Sequence, residues 1–207
     1  NPVFSGYLAG KALVNYNAEL VLEQPYSVGK TLSLQYLAIF GDASTLSRKL
    51  LQNQDRPLER NLFTVARWLK NTPRDAAWRG PVMARLARLL QHEGQPLALR
   101  GQALAAIIMS GDPSASLLFR QLCEADLPEL LQLCPLGCGA LQDTKAIPAL
   151  SGLLAYNNPG VRRAACLALV AIGNTLALEA VASALLHGEE TTRRSAAEAL
   201  ANLAGEG

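Results

Sequence analysis

The sequence predicts an all-α fold in which antiparallel helix pairs stack in chain order, an α-solenoid. The first observation is a period of 31 residues: Arg162 and Arg193 are one period apart, and Arg100 precedes Arg162 by two periods. The second is that each period reads helix, tight turn, helix. The third is a composition that is 50% apolar and only 5% aromatic, which suits closely packed Leu- and Ala-rich helices. A fixed period of this size indicates units that bury their apolar faces only against their neighbours.

The second half of the chain carries the regular repeats. Apolar residues within 145–155 recur with helical spacing, so one face of this helix is apolar. The segment 157–160 (NNPG) then breaks the helix. A second helix follows and ends at Gly173, and we expect Asn174 to cap the helix after it.

The first half repeats less regularly. Residues 24–42 align with 95–112 at an offset of 70 or 71, and residues 58–71 read as another second helix. The next offset is 41, so we interpret residues 71–80 as an inserted loop. We therefore expect a single array over 1–207, with divergent repeats in 1–79 and regular 31-residue repeats in 80–207.

The array should contain about six helix pairs. We place the first helices near 7–22, 44–53, 80–91, 114–122, 145–155 and 177–187. We place the second helices near 28–40, 58–70, 97–109, 127–140, 160–171 and 191–204.

A family resemblance rests on the last two repeats. Residues 161–174 (VRRAACLALVAIGN) resemble the second helix of HEAT-like repeats of the phycobilisome-lyase type, and residues 192–200 (TRRSAAEAL) resemble it again. The preceding helix, with AIPAL at 146–150, resembles the first helix of such a repeat. The resemblance implies a HEAT/ARM-like right-handed superhelix in which the second helices line a concave face.

Candidate binding residues follow from that implied register. Trp68 and Arg67 are the predicted anchors, because Trp and Arg dominate interface energetics; the alternative is that Trp68 belongs to the thin core beside the inserted loop. The other positions that the register implies on the concave face are Arg60, Asn61, Thr64, Thr31, Gln35, Gln102, Arg163, Leu167, Arg194, Glu198 and Asn202.

The arginines that recur at the repeat period have a different interpretation. Recurrence favours a structural ladder in which Arg100, Arg162 and Arg193 bond to carbonyls of a neighbouring repeat or to periodic polar residues. Those polar residues are Asp112, Asp143 and Asn174. A basic rail that binds a partner is the alternative.

Charge is unevenly distributed along the chain. Residues 48–100 hold eleven basic and four acidic residues, whereas residues 101–207 hold six basic and ten acidic residues. A basic middle segment could attract an acidic protein or a nucleic-acid backbone, although solvated charges on outer helix faces would give the same pattern.

The four cysteines do not have the spacing of a metal site. Cys134 and Cys138 are one helical turn apart, without CxxC pairs or nearby histidines. We expect Cys123, Cys134, Cys138 and Cys166 to be buried, reduced and structural, which favours a cytoplasmic location. Residues 27–31 (SVGKT) have the end of a phosphate-binding loop but Gln24 where its first glycine should be, so we predict no nucleotide site.

The predicted function is a non-catalytic protein-interaction scaffold or sensor segment in a larger, bacterial-type protein. We expect another protein as partner, no membrane insertion, and neither cofactor nor metal. Deoxyhypusine hydroxylases are HEAT-repeat enzymes whose iron site needs several His-Glu pairs. Because this sequence contains the single pair His92-Glu93, we expect it to lack that activity. Two alternatives stay open: a bilin-lyase-like enzyme subunit, and a nucleic-acid-binding protein that uses the basic 48–100 segment.

Overall fold

The computed structural model describes residues 1–52, 58–125 and 127–204, with side chains up to residue 201. These residues form thirteen α-helices and no β-strand, as predicted. The helices are α1 Pro2–Leu13, α2 Glu19–Leu22, α3 Val28–Phe40, α4 Ser44–Gln52, α5 Arg60–Ala66, α6 Arg79–Gln91, α7 Leu97–Met109, α8 Ser114–Cys123, α9 Pro128–Ala140, α10 Ile147–Leu153, α11 Pro159–Ile172, α12 Thr175–His187 and α13 Glu190–Ala204. Two short 3-10 turns, Leu69–Asn71 and Thr144–Ala146, extend α5 and precede α10.

The helix boundaries follow from local capping chemistry. Asn158 Oδ1 accepts a hydrogen bond from Gly160 N at 2.8 Å, with Pro159 in the first turn of α11. Gly173 ends α11 with φ 65°, a conformation that glycine adopts without strain. Asn174 Oδ1 then accepts from Ala177 N at 2.9 Å, so Asn174 caps α12 as predicted.

The first predicted helix, near 7–22, is wrong because the chain forms two helices there. Asn1 caps α1, which begins at Pro2. α2 begins at Glu19, whose backbone N–H donates a hydrogen bond to Asn17 Oδ1. Gly10 lets α1 lie directly against α3, since a Cβ there would be 2.5 Å from Tyr36 Cβ. The sequence pattern of 7–22 does not reveal this close helix contact.

The chain divides into two compact units. Unit 1 comprises Asn1–Leu89 with Met109–Asp112, and unit 2 comprises Leu90–Ile108 with Pro113–Gly207. The predicted single array over 1–207 stays a prediction. The core of unit 1 is formed by side chains that are at most 3% exposed, among them Leu34, Leu37, Leu62, Val65, Trp68, Leu69, Val82 and Leu86.

Unit 2 is organised around second helices that pack side by side. α11 contacts α9 on one side and α13 on the other, and α8, α10 and α12 are the first helices of these pairs. α9 approaches α11 closely at Gly139, where a Cβ would lie 2.8 Å from Ala168 Cα. Cys134, Cys138 and Cys166 are fully buried in this core.

Candidate functional site

Trp68 is a core residue, so the prediction that it anchors a partner is wrong. Its side chain is 1% exposed and packs edge-to-face against Trp78, with ring centroids 6.2 Å apart. The position falls on the same buried side of the helical segment as Val65 and Leu69. Burial of two indoles supplies apolar area that a core poor in aromatics otherwise lacks.

The basic and polar neighbours of Trp68 lie on the opposite side. Arg60, Arg67 and Lys70 are exposed and Thr64 is half-buried. Their spacing of four, three and three residues places them on one side of α5 and its 3-10 extension. We call these four residues the α5 ridge. None of its three basic side chains forms an ion pair with another residue in the described ranges.

Lys70 was missed by the sequence analysis, and so was Arg74. Both are exposed and lie directly after Arg67 along the chain. The signal was available, because Lys70 continues the spacing of Arg60, Thr64 and Arg67 by about one further turn. Lys70 belongs to the predicted second helix, whereas Arg74 lies in a turn within the predicted inserted loop, beyond the 3-10 extension.

The acidic residue nearest to the ridge in sequence does not neutralise it. Glu59 is 8% exposed and begins α5 in a left-handed conformation with φ 49°. Its Oε2 accepts a hydrogen bond from Arg85 Nη2 at 2.8 Å, and Arg85 Nη1 donates to Leu51 O at 2.7 Å. The Glu59 carboxylate is therefore buried and paired with Arg85.

A buried arginine fixes the C-terminal part of the ridge. Arg79, 4% exposed, donates from Nη1 to the carbonyl of Leu69 and to Thr72 Oγ1, the latter at 3.1 Å. These bonds satisfy groups left open where the 3-10 turn ends. Lys70 therefore projects from a turn whose backbone is held from the core side.

The remaining concave-face candidates are distributed over separate helices. In unit 1, Thr31 and Gln35 are half-buried on α3, and Asn61 is half-buried and bonded on α5. In unit 2 the exposed candidates are Gln102 on α7, Arg163 on α11, and Arg194 and Glu198 on α13, whereas Leu167 is half-buried. Arg194 Nε pairs with Glu198 Oε1 at 2.9 Å. The side chain of Asn202 lies outside the described residues.

Two of the predicted ladder arginines link successive repeats. Arg100 is fully buried; its Nε donates to Leu90 O at 2.7 Å, and its Nη1 pairs with Glu129 of the following helix pair. Arg162 is 9% exposed, and its Nη1 donates to Tyr156 O at 2.8 Å. Arg162 Nε donates to Ser195 of the following pair at 3.1 Å. Each arginine therefore bonds a carbonyl at the end of its own first helix or in the loop just after it, and also bonds a side chain of the next repeat.

Carbonyl acceptors were predicted and are used, although they belong to the same helix pair. The predicted side-chain partners are wrong. Asp112 lies 3.8 Å from Arg79, Asp143 lies 3.2 Å from Arg120, and Asn174 caps α12. The acceptors used instead, Glu129 and Ser195, do not recur at the period, so the repeat pattern does not identify them.

Arg193 does not take the ladder position that its register predicts. It is exposed and pairs with Glu190 on its own helix at 2.7 Å. Arg162 obtains its inter-repeat acceptor from the helix pair that follows, and no pair follows α13 in the part of the chain that the structure describes.

The four thiols are buried and free, as predicted for structural cysteines. Cys123 Sγ and Cys138 Sγ are 3.9 Å apart. Burial raises the pKa of Cys134 to about 12 and that of Cys166 to about 11, and the contact with Cys138, together with burial, raises the pKa of Cys123. Within the described residues, no three His, Cys, Asp or Glu side chains converge as they would around a metal ion.

Lys30, in the loop-like motif at 27–31, has a structural role. Its Nζ donates to Leu22 O at 2.7 Å and to Gln24 O at 2.5 Å, and Ser27 caps α3. Because the Lys30 ammonium group is bonded to carbonyls at the C-terminal end of α2, this motif gives no support to a phosphate site. Across the described ranges, no helix combines the length and the apolar character needed to span a bilayer.

The fold and the repeat contacts place this protein among the α-solenoids. Residues 128–201 match the sequence profile of HEAT repeats. This segment therefore consists of HEAT-like repeats, as the sequence predicted; the closer likeness to the phycobilisome-lyase type stays a resemblance. No curated protein sequence matches the chain closely enough to count as a relative.

One similar solved structure is that of human deoxyhypusine hydroxylase in complex with glycerol, at 21% identity and a TM-score of 0.47. The match covers 97% of this chain and 79% of that one. The prediction that the chain is not an enzyme is corrected by this finding, because an enzyme is among the structures that resemble it. At this level of similarity, the hydroxylase transfers neither its activity nor its residues to this chain.

Proposed function

We propose that this HEAT-like chain is a protein-binding module that contacts its partner through exposed residues of its second helices. Repeat arrays of this kind present extended surfaces for binding, because each unit buries only the faces that meet its neighbours. The observation that carries the proposal is the α5 ridge, where basic side chains without an ionic partner among the described residues stand on a fully packed helix.

Arg67 is the proposed anchor of this surface, and Trp68 is not part of it. Arg67 is exposed at the end of α5, whereas Trp68 holds the helix to the core. Arginine is over-represented among residues whose truncation costs an interface most. Gln102 and Arg163 extend the proposal to second helices of unit 2, where each is exposed.

Site-specific photo-crosslinking in cells tests the proposal. A photoreactive amino acid at Thr64 or Arg67, and at Arg163, should yield covalent adducts with a discrete protein. Leu117 on α8, 53% exposed, and Arg88 on α6 supply matched positions on first helices. Equal yields from the first-helix and second-helix positions would contradict the proposal.

Nucleic acid is the competing partner for the basic segment. If duplex DNA binds, the affinity should fall steeply with salt, because each neutralised phosphate releases counterions. A titration of the whole chain against duplex DNA at 50 and 200 mM salt measures this directly. Tight, strongly salt-dependent binding that the R60E/R67E double variant abolishes would assign the ridge to nucleic acid and overturn the protein-binding proposal.

A further inference from the structure

We infer that the α5 ridge selects an acidic polypeptide segment, one whose carboxylates are about 10 Å apart. This inference rests on the proposed protein-binding function and names the chemistry of the partner at that same surface. Three properties of the ridge carry it: its rigid presentation, its basic side chains without an ion-pair partner among the described residues, and the spacing of its two arginines.

The ridge is presented by a helix that cannot easily reorient. Leu62, Val65 and Leu69 are each at most 1% exposed, and Trp68 closes the same side against Trp78. The bonds from Arg79 to the carbonyl of Leu69 and to Thr72 hold the 3-10 extension. A partner would therefore meet charges whose backbone positions are already set, which lowers the entropic cost of binding.

The three basic side chains of the ridge also have no ion-pair partner among the residues that the structure describes. Residues 58–79 contain five basic and two acidic residues, and one of the acids, Glu59, is buried against Arg85. Arg67 and Lys70 are three residues apart, where like charges repel each other. An incoming row of carboxylates would relieve that repulsion.

The spacing suits carboxylates that recur every two helical turns. Arg60 and Arg67 are seven residues apart, which at 1.5 Å per residue is roughly 10.5 Å along the helix. A partner helix with acidic residues seven positions apart matches this distance. Each guanidinium can then bond one carboxylate through two parallel hydrogen bonds, and the Thr64 hydroxyl lies between the two sites.

Aromatic residues decide between a polypeptide and single-stranded nucleic acid. Proteins that bind single strands combine basic grooves with aromatic side chains on which bases stack. The two tryptophans of this segment, Trp68 and Trp78, are at most 6% exposed and face the core. A basic surface without exposed indoles favours an acidic polypeptide.

A direct binding measurement tests the inference. The probe is a fluorescein-labelled, helix-forming 15-residue peptide with Glu at positions 2, 5, 9 and 12, and the control probe carries Gln at those positions. Anisotropy with the full chain at 50 mM NaCl should show binding of the Glu peptide only. Binding should weaken severalfold at 300 mM NaCl, because exposed ion pairs are screened.

Charge reversal locates the binding to the ridge. The R60E/R67E variant should weaken binding by about tenfold or more, and R60Q/R67Q by less, because it removes attraction without adding repulsion. The matched control is R88E/R193E, which has the same change in net charge at exposed positions outside the ridge and should stay within about twofold. Circular dichroism confirms that each variant is folded.

The outcomes separate this inference from the proposed function. Equal weakening by both double variants, or equal binding of the Glu and Gln peptides, would overturn the acidic specificity. If protein adducts still form at Thr64 or Arg67 in that case, the protein-binding function survives with a partner of other chemistry. If neither the peptide binds nor the adducts form, both the inference and the proposed function are overturned.

Discussion

At the residue scale, burial separates arginines that look alike in the sequence. Arg100 and Arg162 lose nearly all contact with water, whereas Arg60 and Arg67 remain exposed. A buried guanidinium needs acceptors to offset its desolvation, and Leu90 O and Glu129 supply them for Arg100. Stability and binding therefore depend on different arginines.

Trp68 and Arg67 are adjacent, yet their substitution should have opposite consequences. Trp68→Ala leaves a cavity beside Trp78 and should lower the free energy of unfolding by about 3–5 kcal/mol. Arg67→Ala should change it by less than about 0.5 kcal/mol, as is usual for exposed positions. Urea unfolding of the two variants measures both values. A Trp68→Ala protein as stable as the wild type would contradict the core assignment.

Arg100 and Arg193 share a repeat position but differ in environment, so they form a second matched pair. Arg100→Ala removes the donor that Leu90 O and Glu129 use, and should destabilise the protein by roughly 2–4 kcal/mol. Arg193→Ala removes only an exposed pair with Glu190 and should cost about 0.5 kcal/mol or less. Comparable losses in chemical denaturation would mean that the ladder does not stabilise the repeats.

At the element scale, the distance between helices is set by small residues. α9 approaches α11 where Gly139 faces Ala168, and α1 approaches α3 through Gly6 and Gly10. A Cβ at any of these glycines would lie less than 3 Å from an atom of the neighbouring helix. Gly152, in α10, has no such role, because a Cβ there would meet no atom within 4 Å.

Two helical glycines should therefore respond oppositely to alanine. Gly139→Ala forces α9 away from α11 and should destabilise unit 2 by about 1–3 kcal/mol. Gly152→Ala, in α10, meets no atom within 4 Å and should stabilise the protein by about 0.5–1 kcal/mol, because alanine loses less backbone entropy. Thermal unfolding followed by circular dichroism gives both signs. A destabilising Gly152→Ala would show that helix propensity does not decide that position.

At the scale of the whole molecule, the buried thiols link stability to pH. The pKa of Cys134 is raised to about 12 and that of Cys166 to about 11, whereas the thiol of an unfolded cysteine has a pKa of about 8.5. The unfolded chain therefore loses thiol protons at a lower pH than the folded one. The contribution of these thiols to the free energy of unfolding is fully present below about pH 8.5. It is lost as the pH rises toward the pKa values of the folded protein.

Unfolding measured between pH 7 and pH 10 should show this loss. The free energy of unfolding should fall more steeply with pH in the wild type than in the C134A/C166A variant, which lacks two of the titrating thiols. At pH 8 the folded protein should also resist iodoacetamide, and all four cysteines should react after denaturation. Identical pH slopes for the two proteins would contradict thiol burial as a source of stability.

The sequence by itself determined the class of fold and most helix boundaries. These features depend on local sequence alone. Apolar residues at helical spacing specify a helix. Gly173 specifies where it ends, and Asn174 specifies the cap of the next helix. The same information located the second helix near 58–70, and with it Arg60, Thr64 and Arg67. It failed near 7–22, where the α1–α3 contact depends on how two helices meet.

Only the tertiary structure decided which side of α5 faces the core. A Trp next to an Arg reads equally well as an anchor or as a core residue, because the apolar and basic positions of a short helix differ by a fraction of a turn. Packing against Trp78 buried Trp68 and left Arg67 in solvent. The inter-repeat acceptors of Arg100 and Arg162, Glu129 and Ser195, were likewise decided by the packing of one helix pair on the next. No local pattern encodes those contacts, because they join residues about 30 positions apart.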